Sequence, residues 1–275
     1  MRTILLCILL WNACGLFTST NARTGVVELK NILPIEWLHI QKTGSAFGNI
    51  LLRWACDEDE ENVVVPGGGF KIPEHCKTYF RYREGTRPAW PIGDHFPLPR
   101  NTSMAYIRHV VTLIRSPQKQ KISHFYHSRG NGDVCSFLKK RIGFGYQTSF
   151  VTGEKKSSTA SCAIACFRLS QFAFLGITDF WEASVCLFHK EVGGIDLEID
   201  SQVIRLGKYN HTADMSTQVA CDDAIEDCMF QCALDNFLSR ITKNACAFLL
   251  RPTDLGNDLA NWKLKMVLDF IGLSQ

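Results

Sequence analysis

What this chain lacks narrows its class first. It has no low-complexity segment, no internal repeat and no stretch that reads as a linker, which excludes a disordered or repeat architecture. It carries little excess charge. A net +3 over 275 residues makes no global case for nucleic acid or an anionic membrane as partner. Short Cys-x-x-Cys pairs with a second half are missing, so the twelve cysteines do not read as a zinc site. The N-terminal apolar run from Ile4 to Phe17 falls short of the roughly 20 residues that cross a bilayer.

What is present fits one enzyme-sized domain. The 46% apolar fraction can build a full core. Alternating strand-like and helix-like segments predict an α/β fold, a mostly parallel sheet flanked by helices. Arg2, the apolar run and the polar Thr20-Asn21-Ala22 have the anatomy of a secretory leader, with cleavage after Ala22 favoured on length over retention as a signal anchor. The expected organisation is therefore 1–22 as leader or anchor and 23–275 as one domain. Membrane attachment would come only through that N-terminal segment.

Removing Cys7 and Cys14 with the leader leaves ten cysteines, an even number suited to an oxidising compartment. Cys162/Cys166 and Cys228/Cys232 sit one helical turn apart, so each pair is expected to bridge elsewhere and not to itself. Their connectivity is not readable from spacing. Asn101-Thr102-Ser103 and Asn210-His211-Thr212 are glycosylation sequons.

The densest chemical signal is Trp37-Leu38-His39-Ile40-Gln41-Lys42-Thr43-Gly44-Ser45-Ala46-Phe47-Gly48. An apolar strand enters a turn holding a lysine and two hydroxyls, and a helix-like segment (Asn49 to Trp54) leaves it. That layout aims backbone N–H groups at the turn beside a helix N-terminus, a cradle for a phosphate-like anion. The NTPase pattern Gly-x-x-x-x-Gly-Lys-Ser/Thr is not met: Trp37 stands where its first glycine belongs, and Gly44 follows Lys42. A second segment, Val110 to Ile114, reads as a buried parallel strand running into Arg115-Ser116-Pro117, with Pro117 suited to the first turn of a helix. A third, Gln171 to Phe180, reads as strand and turn, followed by a helix from Glu182 to Leu187.

In this order the segments resemble the Golgi-type carbohydrate sulfotransferases, above all the heparan sulfate 6-O-sulfotransferases and the related 2-O branch. Their donor loop reads roughly "FLHIxKTGGTSF", their second motif "LLRDPVSRYLSEWRH" and their third "FDFVGLTERF". Leu234 to Leu238 is similar to their closing "LDxxLY" helix. The resemblance implies a P-loop-like parallel sheet of the sulfotransferase type, resident in the Golgi lumen or secreted. It implies 3′-phosphoadenosine 5′-phosphosulfate (PAPS) as co-substrate, a glycan or proteoglycan acceptor and no metal. Lys42, Thr43, Gly44, Ser45 and Ala46 would hold the 5′-phosphosulfate, and Arg115 and Ser123 the 3′-phosphate. Ser116 departs from the family, which usually has aspartate there.

A sulfuryl transfer also needs a base for the acceptor hydroxyl. Of eight histidines, His95 lies in Pro91-Ile92-Gly93-Asp94-His95-Phe96-Pro97-Leu98, where the related enzymes carry a "GxH" or "GHF" segment with their catalytic histidine. Lys42 would serve as the second catalytic group, neutralising charge on the leaving phosphate. His39 reads as a core histidine, and Glu74 or Glu84 is the fallback base. Arg81, Arg83, Arg87 and Trp90, interleaved with Tyr79, Phe80 and Tyr82, read either as an acceptor groove or as a solvated surface. Asp57 to Glu61 reads as a solvated loop. Two rival functions stay open: a P-loop-type nucleotide kinase, and a non-catalytic secreted glycan-binding protein of the same fold.

Overall fold

A computed structural model describes residues 32–56, 74–81, 95–128, 130, 132–154, 158–194 and 221–250. The leader, the acidic run, Arg83, Glu84, Arg87, Trp90, Asp94 and the Asn210 sequon lie outside the described residues, as does the side chain of Glu74.

Three parallel strands form the sheet: β1 (Glu36–Leu38), β2 (Val110–Ile114) and β3 (Phe174–Ile177), with β2 in the centre. Glu36 pairs with Val110, and Val111 with Phe174. Every residue of β2 is buried, as the β-branched run Val110-Val111-Thr112 requires of a strand covered on both faces. Between β1 and β2 lie α1 (Phe47–Cys56), a 3₁₀ turn (Glu74–Tyr79) and the short α2 (Met104–Ile107). Four helices join β2 to β3: α3 (Pro117–His127), α4 (Val134–Arg141), α5 (Tyr146–Thr152) and α6 (Thr159–Leu169). A 3₁₀ turn (Thr178–Phe180) leads into α7 (Trp181–Glu191), and α8 (Ala224–Lys243) follows later in the chain. The expected α/β architecture is the one observed, with a small sheet.

Local chemistry sets the helix starts. Pro117 occupies the first turn of α3, where its missing N–H is not needed. Asp133 caps α4 by accepting from the Ser136 N–H at 2.6 Å, and Asp223 caps α8 by accepting from the Glu226 N–H at 3.3 Å. Ser158 and Ser161 form a reciprocal capping box on α6. Phe47 of α1, Phe174 of β3 and Phe188 of α7 meet with centroids 5.2–5.3 Å apart and bind one face of the sheet to its helices.

Five disulfides use all ten cysteines beyond the leader: Cys56–Cys76, Cys135–Cys221, Cys162–Cys228, Cys166–Cys232 and Cys186–Cys246. The two i,i+4 pairs bridge α6 to α8 as adjacent rungs, so neither closes on itself. Cys162, Cys166 and Cys232 lie close enough to suggest metal ligation, but their sulfurs are in disulfides and are not thiolates. Such a set of bridges belongs to an extracellular or secretory compartment. Among the described residues no helix is long and apolar enough to cross a membrane.

Candidate functional site

The loops that follow β1, β2 and β3 gather at the carboxyl edge of the sheet, where open α/β sheets build ligand crevices. The loop after β1 is fixed from outside itself. The Gln41 carbonyl accepts from Gln120 Nε2 of α3 at 3.2 Å. The Lys42 carbonyl accepts from Arg115 Nη1 at 3.2 Å. The Thr43 carbonyl accepts from Thr178 Oγ1, and Thr43 Oγ1 donates to the Ile40 carbonyl at 2.8 Å. Three consecutive carbonyls are thus held by the segments after β2 and β3. In a trans peptide the following N–H points the opposite way, which here concerns Lys42, Thr43 and Gly44, and that of Thr43 bonds the Ile40 carbonyl. Among the described residues the N–H groups of Gly44, Ser45 and Ala46 have no acceptor, while those of Phe47, Gly48 and Asn49 open α1 by bonding back to the Gly44, Ser45 and Ala46 carbonyls.

The turn departs from ordinary backbone. Lys42 has φ +68°, the left-handed region that costs a non-glycine residue energy. The bond from Arg115 to its carbonyl helps to hold it there. Gly44 has φ +108°, and a Cβ on it would lie 2.9 Å from Leu113 Cδ1, so this position needs glycine.

Arg115 is placed by a buried relay. The Gln147 side chain accepts from the Arg115 N–H at 3.1 Å and donates to the Arg115 carbonyl at 2.9 Å. The same Gln147 Nε2 donates to Glu226 at 3.1 Å, and the other Glu226 oxygen accepts from the Thr148 N–H at 2.8 Å. Asp179, from the turn after β3, accepts from the Ser116 N–H at 2.8 Å and from its hydroxyl at 3.3 Å, and pairs with Lys119 at 2.7 Å. Where the resembled family carries aspartate at position 116, this chain brings a carboxylate to the same turn from Asp179.

Gln120, Ser123, His124 and His127 are spaced i, i+3, i+4 and i+7 and therefore share one face of α3. Gln120 bonds the lysine loop, and both histidines respond electrostatically to Lys42. Ser123, half-buried between them, lies on the face turned to that loop.

The pKa values of four basic groups around the loop are lowered. Burial lowers the Lys42 ammonium pKa, and neighbouring Arg115 lowers it further. Arg115 is lowered by burial and partly restored by Asp179. His127 is lowered chiefly by Lys42, while His124 is lowered chiefly by burial, with Lys42, His127 and Arg141 adding to it.

His95 is brought to this loop although 52 residues separate it from Thr43 in sequence. Its Nδ1 lies 3.2 Å from Gln41 Nε2, and its exposed ring sits 4.5 Å from that of His39. Arg115 and His95 thus contact the lysine loop at Lys42 and Gln41, and Ser123 shares its α3 face with Gln120. Arg81 sits elsewhere. Its N–H bonds the Ile35 carbonyl at the opposite end of β1, and its guanidinium stacks on Tyr106 at 4.7 Å.

Sequence reasoning missed His39, Gln120, Gln147, Thr178, Asp179 and Glu226. Only the position of Thr178-Asp179 right after β3, at the carboxyl edge, was a usable signal. No protein-family model, curated protein or solved structure matches this chain.

Proposed function

We propose that this protein is a secretory-pathway, Golgi-type carbohydrate O-sulfotransferase that transfers the sulfuryl group of PAPS to a glycan hydroxyl. The observation that carries the reading is the bond from Arg115 to the Lys42 carbonyl. It joins the two basic motifs across adjacent strands, beside the N–H groups of Gly44, Ser45 and Ala46 and next to Gln41, which contacts His95.

The residues fit the donor's two anionic ends. Lys42 with the Gly44, Ser45 and Ala46 N–H groups suits a 5′-phosphosulfate, and the hydroxyls of Thr43 and Ser45 lie in the same turn. Arg115, with Ser123 two turns along α3, suits a 3′-phosphate, because a planar fork can pair with two phosphate oxygens. His95 would accept the proton of the acceptor hydroxyl as its oxygen bonds to sulfur. The sulfur–oxygen bond to the 5′-phosphate breaks in line, and Lys42 neutralises the charge that collects there before 3′-phosphoadenosine 5′-phosphate (PAP) departs. The protein's own cations and N–H groups supply the stabilisation, so no step here needs a metal.

Turnover of labelled PAPS on a glycan panel tests the reading. Lys42→Ala is expected to lose at least about 100-fold in kcat, the loss typical of removing one charge-stabilising donor. His95→Ala is expected to lose about 100-fold or more while keeping its affinity for PAP. Full activity of Lys42→Ala would overturn the loop's role, and full activity of His95→Ala would move the base elsewhere.

A further inference from the structure

Helices α6 and α8 are joined by two adjacent bridges, Cys162–Cys228 and Cys166–Cys232. The rungs touch. The sulfurs of Cys162 and Cys166 lie 3.7 Å apart, and those of Cys162, Cys166 and Cys232 are all within 4.8 Å of one another. Access to the four residues is uneven: Cys228 is exposed, Cys166 and Cys232 are half-buried, and Cys162 is 4% exposed. None of the other cysteines in the five bridges is exposed, so Cys228 is the one open end of the disulfide set.

Disulfides exchange when a thiolate attacks one sulfur and the other leaves. We propose that Cys228 is a thiol-exchange site, at which an outside thiol opens the ladder and rearranges it into bridges within each helix. The thiolate bonds to Cys228 Sγ as the Cys162–Cys228 bond breaks, and the electron pair leaves on Cys162. A charge on that buried sulfur is costly, and Cys166 Sγ is 3.7 Å away. Freed of its bridge, Cys162 rotates about its Cα–Cβ bond into line with the Cys166–Cys232 bond. It bonds to Cys166 as that bond breaks, so the charge passes to the half-buried Cys232. Cys232, one helical turn from Cys228, then displaces the incoming thiol and closes Cys228–Cys232. The balance needs no oxidant or reductant: two bridges between helices become two within them, and the thiol is regenerated. Residues four apart in an α-helix have Cα atoms about 6.2 Å apart, inside the span of roughly 4.4–6.8 Å that a disulfide takes. Glu226, which holds Gln147 and through it Arg115, stands two residues before Cys228 on α8, so the rearrangement loosens the helix behind the anion site. That consequence rests on the sulfotransferase reading, but the exchange itself does not.

The probe is reduced glutathione, added to the secreted protein at mildly alkaline pH, with acid quenching, alkylation and peptide mapping by mass spectrometry. At early times glutathione is expected on Cys228 before any other cysteine, together with a new Cys162–Cys166 bridge and an alkylated Cys232. At later times Cys228–Cys232 should replace the adduct. Glutathione appearing first on another cysteine, or on none, would overturn the proposal. Recovery of Cys162 as an alkylated thiol beside a Cys228 adduct would overturn it too, because the charge would then have gone no further. Removing the second rung by Cys166→Ser with Cys232→Ser should give that outcome by design, and the wild-type map decides the proposal if this variant fails to fold. Calorimetry on the rearranged protein should show the affinity for PAP lowered about tenfold, the equivalent of one net hydrogen bond of the relay. An unchanged affinity would overturn the link to Arg115. If the sulfotransferase reading alone is wrong, wild type will not bind PAP, yet the glutathione map will be the same.

Discussion

Glu226 offers a quantitative test of the relay behind Arg115. The carboxyl is 1% exposed, and burial, with Asp223 adding to it, raises its pKa from 4.5 to about 7 against the pull of the Thr148 and Gln147 hydrogen bonds. The folded state therefore holds a proton that the unfolded chain releases above pH 4.5. By linkage this favourable contribution is complete below pH 4.5, falls as pH rises, and is gone above about 7. The separation between the two values corresponds to about 3 kcal/mol. Glu226→Gln removes the titration but places an amide donor against two groups that already donate, at a cost of about 1–2 kcal/mol at every pH. The variant should thus be the less stable protein at pH 4 and the more stable one at pH 8, with the difference moving by about 3 kcal/mol. Urea denaturation with the disulfides intact, run from pH 4 to 8 on both proteins, measures this difference and cancels the other titrating groups. A difference that stays flat across that range would refute the assignment of Glu226 as a neutral buried acid at low pH.

Three further outcomes follow from the same geometry. Arg115 uses Nη1 on the Lys42 carbonyl, leaving Nε and Nη2 without acceptors among the described residues. Two charge-assisted bonds at about 1.5–3 kcal/mol each put the loss in PAP affinity for Arg115→Ala at about 10²–10⁴-fold, with Arg115→Lys in between. Burial first and then the Lys42 cation lower the pKa of His124, and Lys42 first lowers that of His127, so a bound anion should raise both. PAP binding should then take up protons near and below pH 6.5 and tighten as pH falls, which calorimetry in buffers of different ionisation enthalpy will detect. Cys162–Cys228 and Cys166–Cys232 each close 66 residues between α6 and α8. Replacing one pair by serine leaves the loop closed, whereas replacing both should cost about 4 kcal/mol in denaturant unfolding, more than twice the loss from either pair alone.

The parts legible in the sequence were those in which local chemistry decides structure. Val110 to Ile114 read as a buried parallel strand because a β-branched apolar run without alternation has few other uses, and Pro117 marked the first turn of α3. Cys162/Cys166 and Cys228/Cys232 showed that they would bridge outward, although only the docking of α6 on α8 says to what. The hidden parts depend on long-range placement. Gln147 and Glu226 lie 32 and 111 residues from Arg115 and carry no motif, yet they fix its backbone. Ser116 looked like a loss of the expected carboxylate until the fold supplied Asp179 from 63 residues away. Arg81 sat in a suggestive run of arginines and aromatics, but pairing at the start of β1 carries it to the far edge of the sheet. His39 read as a core residue. It is buried as expected, and its ring contact with His95 had no signature in the chain.

The central claim is that the lysine loop and Arg115 together bind a 3′,5′-bisphosphorylated adenosine. Calorimetric titration of the secreted protein with PAP, beside ATP with magnesium, tests it directly. PAP is expected to bind more tightly than ATP, and Arg115→Ala to abolish that preference. Binding of ATP with magnesium but not PAP would instead indicate a nucleotide kinase, and binding of neither would leave a glycan-binding protein without donor chemistry.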